Sequence, residues 1–285
     1  MNKPTHSDKW MVGSVVIIVL TILLAVFAPL ICSINGQDPY TYHLDELDKS
    51  GVPLHNSTFN HWFGVEPLTG RDLFAIVVFG ARTSLLIGFG ATVFALLLGS
   101  LVGVIAGFVG GKLDTFLSRS TDLVLLFPEL IFMIALRSLI PDWFPRELLM
   151  ILVIGAFGWG AIARVVRSQT LVLANEGFIL SSRVLGAKKF YTILRHLLPN
   201  LMSTIVIFGA ISIPGKIGSE AALSFLGVGI SAPTPSWGRS IADAVQWINV
   251  DALYLVYPGL ALFLITFAFN MLGDFLNKKY DPRRL

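Results

Sequence analysis

Four ionisable side chains stand inside otherwise apolar stretches of the sequence and are its first candidates for chemistry: Asp122, Glu129, Lys216 and Glu220. Each costs on the order of 2.5–3.5 kcal/mol near the centre of a bilayer, so such groups normally face a protein interior or a watery path. Lys216 and Glu220 are four residues apart and share a helical face, where they could neutralise each other. For Lys216, Glu220 and Asp122, the sequence is consistent both with structural ion pairs and with a polar path. Glu129 has no local partner, which favours a position in the path.

The remaining residues give little support for an enzymatic function. The five histidines show no metal-ligand spacing, and no serine sits in a Gly-x-Ser-x-Gly context. Gly110-Gly111-Lys112 lacks the upstream glycine and the hydroxyl residue of a phosphate-binding loop. We therefore expect no catalytic residue, no metal site and no nucleotide site in this chain. The alternatives are an intramembrane enzyme that uses Asp122 or Glu129 as acid or base, and a passive channel.

The elements that must position these residues are membrane spans. The chain has 285 residues, of which 54% are hydrophobic and 14% charged, whereas soluble domains average about 45–50% and about 25%. A water-soluble domain is excluded because the apolar residues cluster into runs long enough to cross a hydrocarbon core of about 30 Å. The sequence predicts an all-α membrane protein with six transmembrane helices, at 10–31, within 73–111, and at 119–140, 148–167, 197–225 and 252–273.

The basic residues are distributed unequally between the two predicted sides. With the N terminus inside, fourteen of the 21 lie on the cytoplasmic side: Lys3, Lys9, Lys112, Arg119, Arg164, Arg167, Arg183, Lys188, Lys189, Arg195, Lys278, Lys279, Arg283 and Arg284. Because cytoplasmic loops carry an excess of Lys and Arg, both termini are predicted to be cytoplasmic. The positive charge therefore reports topology and gives no support to nucleic-acid binding.

Two sequence features predict how the spans pack and bend. Gly99, Gly103 and Gly107 recur every four residues and predict one helix face that another helix approaches closely. Pro128 and Pro214 each remove a backbone hydrogen bond and are expected to kink their helices. The second apolar stretch exceeds one crossing, so its first part is expected to lie along the membrane surface.

A cytoplasmic loop at 174–200 separates the fourth and fifth spans and has helical spacing on both sides of a glycine. Phe178, Ile179, Arg183 and Leu185 predict one short helix, Gly186 a turn, and the apolar stripe at 190–197 a second helix. Pro199-Asn200 is expected to end the loop. Such a helix pair could dock into the groove of a partner protein or rest on lipid headgroups.

The loop also contains Gly186, nine further residues, and then His196-Leu197-Leu198-Pro199. This spacing resembles the EAA loop of ABC importer permeases, E-A-A-x3-G-x9-I-x-L-P, although Leu180-Ser181-Ser182 replaces E-A-A. The resemblance implies that the loop contacts an ATPase. The coupling residues it implies are Ser181, Ser182, Arg183, Leu185, Gly186, Ala187, Lys188, Lys189, His196 and Pro199.

Further runs resemble the same family in the same order. They are HWFGVEPLTGRDLF at 61–74, GARTSLLIG at 80–88, GFVGGKLDTFLSRSTDLVLLFP at 107–128, SEAALSFLGVGISAPTPSWG at 219–238 and YPGLALFLITFAFNMLGDFLNKKYDPR at 257–283. Together they resemble the C-type membrane subunit of dipeptide, oligopeptide and nickel ABC importers. Peptide import is the expected activity, and nickel or metal-chelate import is the alternative.

The resemblance carries further expectations about architecture and assembly. It implies a type I importer permease fold in a bacterial-type cytoplasmic membrane, with an anchor helix and extracytoplasmic loop at 1–72 and a core permease domain at 73–285. The implied partners are a paralogous B-type permease, two ATP-binding subunits, an extracytoplasmic solute-binding protein and membrane lipid. ATP-Mg is expected on the partner ATPases, with no cofactor bound by this chain.

Overall fold

The computed structural model describes residues 6–55, 57–141 and 143–279, and side chains from Trp10 onward. Lys3, Arg283 and Arg284 of the predicted cytoplasmic set lie outside these residues. The described chain is helical, and its only strand-like pairings are isolated bridges at Leu47–Pro53 and Val65–Asp72. The helices are α1 (His6–Val26), α2 (Ala28–Asn35), α3 (Leu73–Val109), α4 (Gly111–Leu126), α5 (Glu129–Leu139), α6 (Arg146–Leu173), α7 (Gly177–Val184), α8 (Lys189–Thr192), α9 (Leu198–Phe225), α10 (Trp237–Val245) and α11 (Ala252–Lys279).

Four of the described helices are long and apolar enough to cross a membrane. They are α3, α6, α11 and the continuous helix that runs from Lys189 to the end of α9. A fifth span results if α1 and α2, which are bent by 73° at their junction, are counted together. The predicted all-α membrane fold is therefore confirmed.

The prediction of a single helix for the third span, at 119–140, was wrong. The structure instead has α4 and α5, separated at Phe127-Pro128, whose backbone is extended. Proline lacks the N–H that would continue the ladder and biases the preceding residue away from helix, which accounts for the break. Pro214 has a smaller effect, since α9 continues through it.

The predicted surface-lying first part of the second span was also wrong. α3 is one helix of 37 residues, and the Asp72 side chain accepts a hydrogen bond from Ala75 N at its start. Buried residues follow its whole length, from Leu73 to Phe108. α3 thus packs against other helices along its whole length, although one face, with Leu97 and Leu101, stays exposed.

The three glycines of α3 lie against α6. A Cβ at Gly99 would stand 2.7 Å from Trp159 O, one at Gly103 2.7 Å from Ala163 O, and one at Gly107 2.7 Å from Thr170 Cβ. Glycine at this spacing therefore permits the helix backbones to approach closely along about two turns.

α9, α10, α11 and α1 pack around the N-terminal half of α3. Trp237, the first residue of α10, is 1% exposed and donates from Nε1 to Val77 O at 3.0 Å. Ile18 of α1 lies in the same apolar cluster as Ile217 and Phe269. Helices distant in sequence thus share one core around α3.

Candidate coupling and translocation sites

The predicted cytoplasmic helix pair is present in the structure as α7 and α8. Gly186 lies between them at φ +81°, a left-handed conformation that glycine adopts at low cost. The prediction that Pro199-Asn200 ends the loop and starts the next span agrees with the start of α9 at Leu198, although α8 already leads into α9 through a π-helical turn at Ile193–Leu197. Pro199 lies in the first turn of α9, directly after this π-helical turn.

The inner face of this segment is anchored in the subunit. Ile179 and Leu197 are fully buried in an apolar cluster that includes Phe108 and Val166. The Arg183 guanidinium lies 4.6 Å from the centre of the Phe108 ring, and the hydroxyls of Ser182 and Thr192 are 3.4 Å apart. The segment of α7 and α8 is therefore packed against α3, α6 and α9.

The outer face of the segment is apolar and basic. Val184 is 88% exposed, Leu185 85% and Phe190 72%, and Lys188 and Lys189 are exposed beside them. The other predicted coupling residues divide between the two faces, with Ser181, Gly186 and Pro199 exposed, Ala187 and His196 half-buried, and Ser182 buried. Apolar side chains this exposed typically mark an interaction surface.

Asp122, one of the pathway candidates, is held in ion pairs between helices. Its carboxylate lies 2.6 Å from Arg164 Nη2 and 3.6 Å from Arg119 Nη1. Nearby, Arg167 binds Asp114 through two hydrogen bonds of 2.5 and 2.7 Å, and these bonds hold the pKa of Asp114 below its usual value. The arrangement joins α4 to α6, so the structural interpretation of Asp122 is favoured.

Lys216 and Glu220 do not pair with each other in the described chain, although they share a helix. Lys216 Nζ donates to Ile154 O at 3.1 Å. Glu220 is fully buried and its Oε1 accepts from Ser224 Oγ at 2.8 Å. The two side chains point to different neighbours, which excludes simple mutual neutralisation.

Glu129 lies at the start of α5, directly after the break, within electrostatic range of Lys216. Its Oε1 is buried and no described residue makes a hydrogen bond to it. The structure thus brings together Glu129 and Lys216, which are 87 residues apart in sequence, and separates Lys216 from Glu220.

A buried polar network on the predicted extracytoplasmic side was missed by sequence reasoning. Glu66 accepts hydrogen bonds from Arg71 Nε at 2.7 Å and Tyr254 Oη at 2.5 Å, and Arg71 Nη1 donates to Pro233 O at 3.2 Å. His61 Nδ1 and Asp72 Oδ2 lie 2.8 Å apart, and burial raises the pKa of Asp72. The signal available in the sequence was the acidic and basic pair five residues apart inside the 61–74 motif.

Replacing Arg71 with methionine is expected to destabilise the subunit by about 3–5 kcal/mol, because Glu66 is left buried without its counter-charge. The measurement is the thermal unfolding of the purified membrane protein. Lys49→Met is the matched control, since Lys49 is an exposed cation in the same loop. Equal unfolding temperatures for the two variants would contradict the role assigned to the network.

Comparison with known proteins agrees with this geometry. Residues 99–285 match the family model "Binding-protein-dependent transport system inner membrane component". The chain is 34% identical to the dipeptide transport system permease protein DppC of Alkalihalophilus pseudofirmus, over 99% of this chain and 88% of the relative. It is 35% identical to the oligopeptide transport system permease protein OppC of Bacillus subtilis, over 98% and 87%.

Two further similarities concern substrate diversity and fold. The glutathione transport system permease protein GsiD of Escherichia coli is 36% identical over 93% of this chain and 84% of the relative. An inward-facing structure of the MetNI methionine ABC transporter superposes with a TM-score of 0.57 at 20% identity, over 71% of this chain and 94% of that one. This chain belongs to the family of binding-protein-dependent transport system inner membrane components, as a multi-pass permease subunit of an ABC importer.

Proposed function

We propose that this chain is the C-type permease subunit of a peptide importer and forms half of a translocation path for dipeptides or oligopeptides. The observation that carries the coupling role is the two-faced segment at 174–200. Its inner residues, Ile179 and Leu197, are fully buried, while its outer residues, Val184 and Leu185, are more than four-fifths exposed. The similarity to dipeptide and oligopeptide permeases supports the choice of substrate.

The complete transporter contains a paralogous B-type permease, two ATP-binding subunits that bind ATP-Mg, and an extracytoplasmic solute-binding protein. Residues 1–72 act as an anchor and outer loop, 73–285 act as the core permease domain, and both termini lie in the cytoplasm. The distribution of basic residues supports this orientation.

Coupling proceeds through the outer face of α7 and α8. When the ATP-binding subunits close, they push on Val184, Leu185 and Phe190, and the packed inner face passes that displacement to the spans. Because α8 continues into α9 as one helix, the push moves α9 as a rigid element and alternates the opening of the path.

The four intramembrane candidates take different roles in the proposed path. Asp122 and Glu220 hold helices and loops in place through their ion pairs and serine contacts. Lys216 and Glu129 face the path, because neither has a partner that satisfies its charge by direct contact among the described residues.

Reconstitution of the two permeases and the two ATP-binding subunits in proteoliposomes, with the binding protein added outside, tests the proposal. We expect ATP-dependent accumulation of a labelled tripeptide when the binding protein is present outside, and none when this subunit is omitted. Accumulation of a nickel chelate with no uptake of peptides would contradict the peptide assignment and identify the nickel chelate as the substrate. Activity of the purified subunit alone on a substrate would support an enzyme and overturn the transport role.

A further inference from the structure

A cavity of about 420 Å³ lies between α6 and α9. Its lining combines an ammonium group, two hydroxyls, aromatic rings and glycine backbone, and includes Lys216, Ser212, Ser219, Phe157, Phe208 and Gly158. Sites for small molecules typically occupy about 300–1,000 Å³ and place a few polar groups in an apolar wall. The cavity therefore has the size and the composition of a ligand site.

Lys216 is the only charged group in this lining. Its Nζ carries three N–H groups, and the described residues supply one acceptor, Ile154 O at 3.1 Å. The side chain reaches α6 because position 158 is glycine, since a Cβ there would overlap the ammonium. The ammonium thus lies against the α6 backbone with donors left for a ligand.

The negative charge facing Lys216 comes from a different element. Glu129 of α5 lies within electrostatic range, yet no ion pair joins the two residues in the described chain. Its buried Oε1 also lacks a hydrogen-bond partner there. A pair held only for stability normally closes into direct hydrogen-bonded contact, because desolvated charges gain most at short distance. Among the described residues, the Lys216 ammonium therefore has no counter-ion in direct contact, and its one acceptor is Ile154 O.

We propose that Lys216 binds the terminal carboxylate of a peptide in transit, with the Ser219 hydroxyl as a further donor and Phe157 and Phe208 against the side chains of the peptide. This assignment rests on the proposed peptide transport. The carboxylate contacts Lys216 directly, which Glu129 does not, while the peptide occupies the cavity. A charge-assisted hydrogen bond favours a peptide that keeps this carboxylate over its amide.

The experiment uses the complete transporter in proteoliposomes and one labelled tripeptide, supplied with either a free C-terminal carboxylate or a C-terminal amide. The amount of peptide taken up is divided by the amount of ATP hydrolysed in the same sample. This ratio removes differences in how well the binding protein delivers the two peptides. We expect the uptake per ATP of the carboxylate form to exceed that of the amide form at least about tenfold, which is the scale of one charge-assisted hydrogen bond. Lys216→Met is expected to remove this preference, and Lys216→Arg to retain most of it.

Three outcomes would overturn the proposal. One is equal uptake per ATP of the two tripeptides by the unaltered transporter, which needs no variant to fold. The second is an unchanged preference in Lys216→Met. The third is recovery of the preference in Lys216→Met/Glu129→Gln, which would mean that the two charges serve only to neutralise each other. Absence of any peptide uptake by the unaltered transporter would instead contradict the proposed function.

Discussion

Replacing Gly186 with valine is expected to abolish ATP hydrolysis coupled to transport while the assembled complex remains in the membrane. Gly186 adopts φ +81°, and a β-branched residue is strongly disfavoured there. The turn between α7 and α8 must therefore change its backbone, which moves the exposed Leu185 and Lys188 relative to each other. The measurement is ATPase activity stimulated by liganded binding protein, with copurification of the ATP-binding subunits as a second readout.

Gly186→Asn is the matched control for this prediction. Asparagine tolerates the left-handed conformation better than other residues with a side chain, and no neighbouring atom lies within 4 Å of a Cβ at this position. We expect Gly186→Asn to retain most of the stimulated activity. Normal stimulation in the valine variant would contradict the coupling role of the segment.

Replacing Gly103 with alanine is expected to destabilise the subunit by about 1–3 kcal/mol, the cost of overpacking a close interface. The new Cβ would stand 2.7 Å from Ala163 O and 2.8 Å from Val166 Cβ, so α3 and α6 would have to separate. Since these helices form the centre of the fold, we expect a lower unfolding temperature and a lower yield of assembled complex.

Gly218→Ala tests the same substitution in a different environment. Gly218 also lies within a long helix, α9, but a Cβ there meets no atom within 4 Å. Alanine has a higher helix propensity than glycine by about 1 kcal/mol, so this variant should be as stable as the original or more so. A similar loss in both variants would mean that helix backbone effects, and not the contact with α6, explain the result.

Local sequence signals predicted a large part of this architecture. The apolar runs located the helices because crossing a bilayer requires about 20 apolar residues, and a run of that length is visible without any tertiary information. Gly186 was recognised as a turn between two amphipathic segments because glycine favours a positive φ. The four-residue spacing of Gly99, Gly103 and Gly107 indicated a packing face, since that spacing alone places them on one side of a helix.

The same local reasoning was wrong about how two of the apolar runs divide into helices. The run at 119–140 was expected to be one helix, although Pro128 ends α4 and the backbone resumes as α5. The first part of α3 was expected to lie along the membrane surface before the helix turns inward, but α3 is one continuous helix from Leu73 to Val109 with buried residues along its whole length. The sequence showed the apolar excess of these segments and gave no sign of which neighbours would surround them.

The sequence by itself determined that this chain is a helical membrane protein, and it predicted a pair of short helices at 174–200 and a small set of intramembrane charges. Those properties depend on composition and on spacing along one helix. Tertiary structure decided the partners of the charges: Lys216 faces Glu129 and Ile154 instead of Glu220, and Glu66 meets Arg71 and Tyr254. Electrostatic and hydrogen-bond partners are set by distances between helices, and those distances follow from packing that no single segment encodes.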